Sequence, residues 1–219
     1  MQAIVIATVN SPSIHVLLES INQYAPDFPI YVSGNSLELW GKIRARLKTD
    51  RVIFRPNTAT NFGDAYNAIV NYAFVTGKHD SLIIANDDVV LTPTTISKMQ
   101  EDWDMVNKEF LTGFLGARSD YVLPDQNIRV PVDDDQLIGL RWNSENHIKM
   151  VDVIAPIFAS VSKKAWEVAQ FPSTNWYSDN IICSDLNKAG YQHFVSRGYV
   201  HHAGSQTVGE DFAKCHEEP

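Results

Sequence analysis

The chain has 219 residues, 44% of them hydrophobic and 20% charged, with a formal net charge of −8. This is enough chain for one domain with a sizeable core, and the balance is that of a globular fold rather than a disordered segment or a membrane-spanning bundle. The acidic balance argues against a binder of duplex nucleic acid, which needs a basic face, but a bound metal would still let an acidic protein hold a phosphate.

The elements follow one another in a regular alternation. Ala3 to Val9 is a continuous β-branched run, and Pro12 suits the first turn of a helix reaching Tyr24. The opening MQAIVIATVN lacks a basic region, so it reads as this first strand rather than as a signal peptide. Pro29 to Ser33 is a second strand ending at Gly34-Asn35, and Leu37, Trp40, Ile43 and Leu47 mark a helical face. Arg51 to Arg55 is a third strand; Phe62, Ala65, Tyr66, Ile69 and Ala73 form the stripe of a third helix, closed by Gly77. A fourth strand begins at Ser81, and Pro93 opens a helix through Lys108 with Ile96, Met99 and Trp103 on one side. This alternation predicts a parallel, doubly wound α/β sheet with helices on both faces.

After Phe110 the pattern loosens. A strand is expected from Gly113 to Arg118, then a polar stretch with Asp133-Asp134-Asp135 that reads as a solvated loop or a second cation site. Lys149 to Ala155 and Ile157 to Val161 read as strands broken by Pro156, followed by a short helix from Lys163 to Gln170. Ser178 to Ala189 is a helix capped by Ser178 and closed by Gly190. Tyr191 to Ser196 and Tyr199 to His202 finish as two short strands, and residues 208–219 form an acidic tail expected to be mobile. The single domain is therefore placed at 1–207. Cys183 and Cys215 form no CxxC pair, which leads us to expect reduced thiols and a cytoplasmic location.

The chemistry concentrates in SLIIANDDVVLTP, Ser81 to Pro93, where an apolar strand delivers Asn86-Asp87-Asp88 to its own C-terminal end. Ligands of open α/β sheets collect beyond such ends. Two adjacent carboxylates repel unless a cation or donors hold them, and Mg²⁺ or Mn²⁺ is the simplest partner; an acidic turn capped by Pro93 is the other reading. The first turn, Thr8 to Pro12, has no glycine, and the chain contains no GxxxxGK[ST], GxSxG or HExxH. Dinucleotide binding of the Rossmann type, P-loop chemistry and these hydrolase classes are thereby excluded.

Four stretches, in order, resemble the GT-A glycosyltransferases, in particular the inverting family 2. Ile4 to Ser11 looks like the family's first strand and base-binding loop, Asn61-Phe62-Gly63 like its Asn-x-Gly helix opening, and Asn86-Asp87-Asp88 like Asp-x-Asp. The fourth is YSDNIICSDLNKAGY, Tyr177 to Tyr191, with His202 to Thr207, similar to the acidic helix, the Ala-Gly-Tyr turn and the His-x-Gly-Ser segment. The resemblance implies a GT-A fold and transfer of a hexose from a UDP-sugar to a hydroxyl of a glycan or other acceptor, with inversion. No nucleic acid and no integral membrane contact are implied. Within it, Asp88 and His202 would hold Mn²⁺ or Mg²⁺, Asp179 would act as base, and Thr8, Asn10, Asn35, Asn61, Gly63 and Asp87 would contact the donor. Asn86 departs from the family's first Asp, Asn67 lies closer to Gly63 than the family's asparagine, and Ser178-Asp179-Asn180 replaces Glu-Asp.

A bound cation would neutralise the leaving diphosphate, and a carboxylate would take the acceptor's proton. Its place in a helix's first turn favours the ionised form of Asp179, as a base needs; without the resemblance, Asp179 reads as a simple helix N-terminal charge. His201 and His202 alternate on a strand, so one faces the site and the other, His201, is expected to be a hydrogen-bonded core residue. Trp142, Trp176 and Tyr177 suit sugar stacking or core packing, with Trp176 favoured by its place ahead of Asp179. Two other functions fit a related sheet: a sugar nucleotidyltransferase, which needs the Gly-rich loop missing at Thr8 to Pro12, and a non-catalytic sugar-nucleotide or glycan-binding module.

Overall fold

A computed structural model describes residues 2–8, 13–47, 50–131, 140–142 and 146–203. The elements run β1 (Ala3–Thr8), α1 (Ile14–Tyr24), β2 (Ile30–Gly34), α2 (Leu37–Leu47), β3 (Val52–Pro56), α3 (Phe62–Gly77), β4 (Ser81–Ala85), β5 (Val89–Leu91) and α4 (Thr95–Glu109). They continue β6 (Thr112–Ser119), β7 (Arg129–Pro131), β8 (Leu140–Trp142), β9 (Lys149–Val151), β10 (Phe158–Ser162), α5 (Lys163–Val168), α6 (Ser178–Lys188) and β11 (Gln192–His202).

The main sheet has nine strands in the order β3-β2-β1-β4-β10-β6-β11-β5, with β9 on β11. Strands β3, β2, β1 and β4 are parallel, as the alternation predicts. Strand β10 then inserts antiparallel between β4 and β6, while β6 and β11 pair in parallel. The period-2 rule places the core on both faces. Ile4, Ile6, Ile83 and Ala85 pack with α1, α2 and α4, whereas Ala3, Val5, Leu82 and Ile84 pack with α3, α5 and α6.

Several expectations change. The stretch after Asp88 is a separate strand, β5, because it pairs with β11, and α4 therefore starts at Thr95 rather than Pro93. Strand β9 stops at Val151 instead of reaching Ala155. The two final strands are one, β11, bent by a register shift in which Val195 to Tyr199 faces only Gly116 to Arg118. Asp102 of α4 makes the bend possible: its buried carboxylate accepts from the Ser196 hydroxyl (2.7 Å) and the Arg197 backbone N–H (2.6 Å), and pairs with the Arg197 guanidinium. Helix α3 ends on Lys78 at φ 52°, not on Gly77, and α6 is entered through Tyr177 at φ 56° with no side-chain cap from Ser178. Gly190, at φ 87°, closes α6 as expected. The predicted tail, residues 133–135 and Cys215 lie outside the described residues.

Candidate active site

The C-terminal ends of β1 through β4 open on a cleft of about 500 Å³, lined also by residues 155–157 and 175–179. Of the residues expected to act, the structure brings Thr8, Asn35, Asn61, Asp87, Asp88, Asp179 and His202 to this cleft. Asn10 lies outside the described residues. Gly63 is not in the lining; a Cβ there would sit 1.7 Å from the Pro172 carbonyl oxygen, so the glycine allows residues 171–174 to pack on α3.

The acidic turn is held from several sides. The Asn86 N–H donates to the Ile157 carbonyl (2.7 Å) and Tyr66 Oη donates to the Ala85 carbonyl (2.9 Å). Asp87 is 5% exposed and accepts from Thr8 Oγ1 at 2.5 Å. Burial pushes the Asp87 carboxyl up to about 6, against the opposing effect of the Thr8 hydroxyl.

Asp88 and His202 meet because β5 and β11 pair Val89 with His202. His202 Nδ1 lies 2.5 Å from the Tyr121 carbonyl, which can only accept, so Nδ1 carries the hydrogen and Nε2 faces Asp88. Nε2 and Asp88 Oδ1 are 3.1 Å apart, an ion-pair distance, yet the alignment is not that of a hydrogen bond, and Oδ1 is buried without a hydrogen-bond partner. Burial lowers the proton affinity of the His202 ring, and the Asp88 carboxylate, the Tyr121 carbonyl and Asp120 together more than offset this, so its pKa is raised. An imidazole nitrogen and an orphaned carboxylate oxygen aimed at one another suit a divalent cation, and the carbonyl on Nδ1 is the usual outer partner of a ligating histidine. No group of three such side chains occurs among the described residues. A site with few protein ligands is typical of Mg²⁺-like ions that share substrate phosphates.

The paired histidines divide as strand alternation requires, His202 at 9% and the side chain of His201 at 54% exposure. His201 is therefore not a core residue; its Nδ1 pairs with Asp120 Oδ2, while Asp120 Oδ1 accepts from the His202 N–H at 3.0 Å. His193 is fully buried, with Nδ1 accepting from the Phe114 N–H and Nε2 beside the Cys183 carbonyl. Burial also pushes the Cys183 thiol up to about 12, which makes it inert.

Asp179 lies in the first turn of α6 and lines the cleft. Burial raises its pKa, against the opposing effect of the Asn180 N–H on its Oδ1. A raised affinity suits a group that must accept a proton. Asp185 is turned away, paired with Lys188 at 2.9 Å. Trp176 and Tyr177 both line the cleft; the Trp142 side chain lies outside the described residues.

Sequence reasoning missed Asn57, Thr60, Tyr66 and Asn175 in the lining. Asn57 follows β3 as Asn35 follows β2, and the strand-end rule points to it. Asn175 had no such signal. Asn61 does more structural work than expected: its Oδ1 accepts from the Asp64 N–H (2.8 Å), capping α3. Asn67 is not in the lining.

By sequence the chain matches no family model and no curated protein. By structure it is similar to S. aureus TarS 1–349, with a TM-score of 0.59 at 13% identity, covering 94% of this chain and 61% of that one. The same TarS piece in complex with UDP-GlcNAc gives 0.60 at 13% identity, with coverages of 98% and 64%. GalNAc-T7 with UDP, GalNAc and Mn²⁺ gives 0.68 at 11% identity, with coverages of 92% and 43%. The chain thus spans between 43% and 64% of the length of these structures. At such identities the likeness is one of architecture, and the doubly wound sheet with its acidic turn at the end of β4 has the GT-A fold.

Proposed function

We propose that the chain is a metal-dependent glycosyltransferase that moves a hexose from a UDP-sugar to an acceptor hydroxyl with inversion. The observation that carries this is the charge of the cleft. Asp87, Asp88 and Asp179 line it, and among its described lining residues there is no lysine or arginine. A diphosphate cannot enter such a surface without a cation, and Asp88 Oδ1 with His202 Nε2 is the pair suited to hold one. The similar structures lend weight, since one holds UDP-GlcNAc and another UDP, GalNAc and Mn²⁺.

When bound, Mn²⁺ or Mg²⁺ supplies Lewis-acid stabilisation of the diphosphate leaving group. Asp88 and His202 would hold it, and the Tyr121 carbonyl fixes the His202 ring with Nε2 turned toward Asp88. Thr8 holds Asp87, leaving its other oxygen for a donor hydroxyl. Asn35, Asn57 and Asn61 offer neutral donors and acceptors to the nucleoside. Asp179 takes the proton of the acceptor hydroxyl as that oxygen attacks the anomeric carbon, and the carbon's bond to the diphosphate breaks.

Calorimetric titration of UDP tests the binding half of this reading. Affinity falls strongly when Mn²⁺ is removed or Asp88 is replaced by Ala; equal affinity with and without metal refutes it. Tight UDP-sugar binding with no turnover would favour the non-catalytic module.

A further inference from the structure

Residues 170–175 lie along one face of α3 and are fastened to it position by position. Asn71 Oδ1 accepts from Trp166 Nε1 (2.8 Å) and Gln170 Nε2 (3.1 Å). Asn67 pairs with both backbone groups of Phe171: Nδ2 donates to the carbonyl (2.8 Å) and Oδ1 accepts the N–H (3.1 Å). Asp64 Oδ1 accepts from Ser173 Oγ (2.7 Å), the Gly63 N–H donates to the Thr174 carbonyl (3.2 Å), and the Phe62 N–H donates to Asn175 Oδ1 (2.9 Å). Residues 64, 67 and 71 share a helical face by their spacing of three and four. Between these bonds, Phe171 is buried against Phe62, Tyr66 and Trp166.

The strap leads directly into Trp176, the left-handed Tyr177 and Asp179. A left-handed backbone at a non-glycine residue is strained and persists where its surroundings fix it. Tyr177 is 57% exposed, so its own packing does not supply that restraint. The strap on its N-terminal side and α6 on its C-terminal side do.

We infer that Asn67, with Asp64 and Asn71, forms a polar ladder on α3 that positions Trp176, Tyr177 and Asp179 over the cleft, making Asn67 a positioning residue for the transfer step. The inference rests on the glycosyltransferase reading above. It separates the base from the metal subsite: Asp64 bonds Asn61 and Phe171 packs on Tyr66 behind the acidic turn, but among the described residues no hydrogen bond joins Asp64, Asn67 or Asn71 to Thr8, Asp87, Asp88 or His202. Loosening the ladder displaces the base and the acceptor side while the donor's metal and diphosphate subsite stays intact.

The test combines hydrogen exchange on the full chain with steady-state kinetics. In Asn67→Ala, exchange rises at least about tenfold in peptides spanning 171–177 and not in β1 or β4, as expected for local opening of one segment. The kcat falls by roughly 10–100-fold, the size of a misplaced catalytic group, while the donor KM stays within about twofold. Ser173→Ala removes only the bond to Asp64 and gives the same pattern at smaller size, which keeps the test open if Asn67→Ala does not fold. Unchanged strap exchange, protection lost evenly along the chain, a loosened strap with unchanged kcat, or kcat and KM shifting together would each overturn the inference. If the wild-type chain transfers no sugar, the enzyme reading fails, and the exchange arm still decides whether the ladder holds the strap.

Discussion

Replacing Asp102 by Ala tests how the cleft's last strand is held. The carboxylate is fully buried and receives the Ser196 hydroxyl, the Arg197 N–H and the Arg197 guanidinium, at the point where β11 steps out of register with β6. Breaking a buried ion pair by removing one partner costs about 3–5 kcal/mol. The Arg197 side chain is 22% exposed and can rehydrate in part, which favours the lower end. The Ser196 hydroxyl is enclosed, and leaving such a donor unmet adds roughly 1–3 kcal/mol. We expect a net loss of about 4–6 kcal/mol, or a Tm lower by roughly 8–24 °C for a chain of this size. Urea unfolding followed by tryptophan fluorescence measures it, with Asp104→Ala, exposed on the same helix, as a control within about 0.5 kcal/mol. A loss below about 1 kcal/mol would show that the bend does not depend on this carboxylate.

Two further outcomes follow from the site and the core. Asp179→Asn keeps the shape and removes the base, so UDP-sugar affinity changes little while transfer falls by roughly 10²–10⁴-fold; near wild-type transfer would move the role to another carboxylate. His193 accepts a hydrogen bond on a nitrogen that protonation would block, and burial holds its pKa below the ordinary value despite the Cys183 carbonyl and Asp152. Because the unfolded chain binds that proton more readily, the stability from neutral His193 is fully present above about pH 6.5 and is lost as pH falls through the lower folded value. Wild type should therefore lose more urea stability than His193→Gln between pH 7.5 and 5, and parallel curves would contradict this.

Much of the fold is legible in sequence because β1, β2 and β4 are local patterns, apolar runs buried on both faces, and β3 is a short run at the sheet edge, with helices between them. The acidic turn is legible for the same reason, since Asp87 and Asp88 end a run that can only be a central strand. What is not legible depends on pairing across long separations. Strand β10 reads as a strand, but nothing local says that it enters antiparallel between β4 and β6. The three residues of β5 gain their identity from β11, and that pairing brings Asp88 to His202. The environments of His201 and His193 have a similar origin. Asp120 and Cys183 decide them from distant positions, and a histidine's neighbours cannot be read from its own segment. Gly63 shows the opposite error: a residue matching a donor-binding motif is required by the approach of Pro172.

The central claim is catalytic transfer from a nucleotide sugar, and its most direct measurement is release of free nucleoside diphosphate from a panel of nucleotide sugars in Mn²⁺ with and without candidate polyol acceptors. Release is expected from at least one UDP-sugar, accelerated by an acceptor, abolished by chelation and strongly reduced in Asp179→Asn. No release above the protein-free blank from any donor, with Mn²⁺ present and UDP bound, would contradict it.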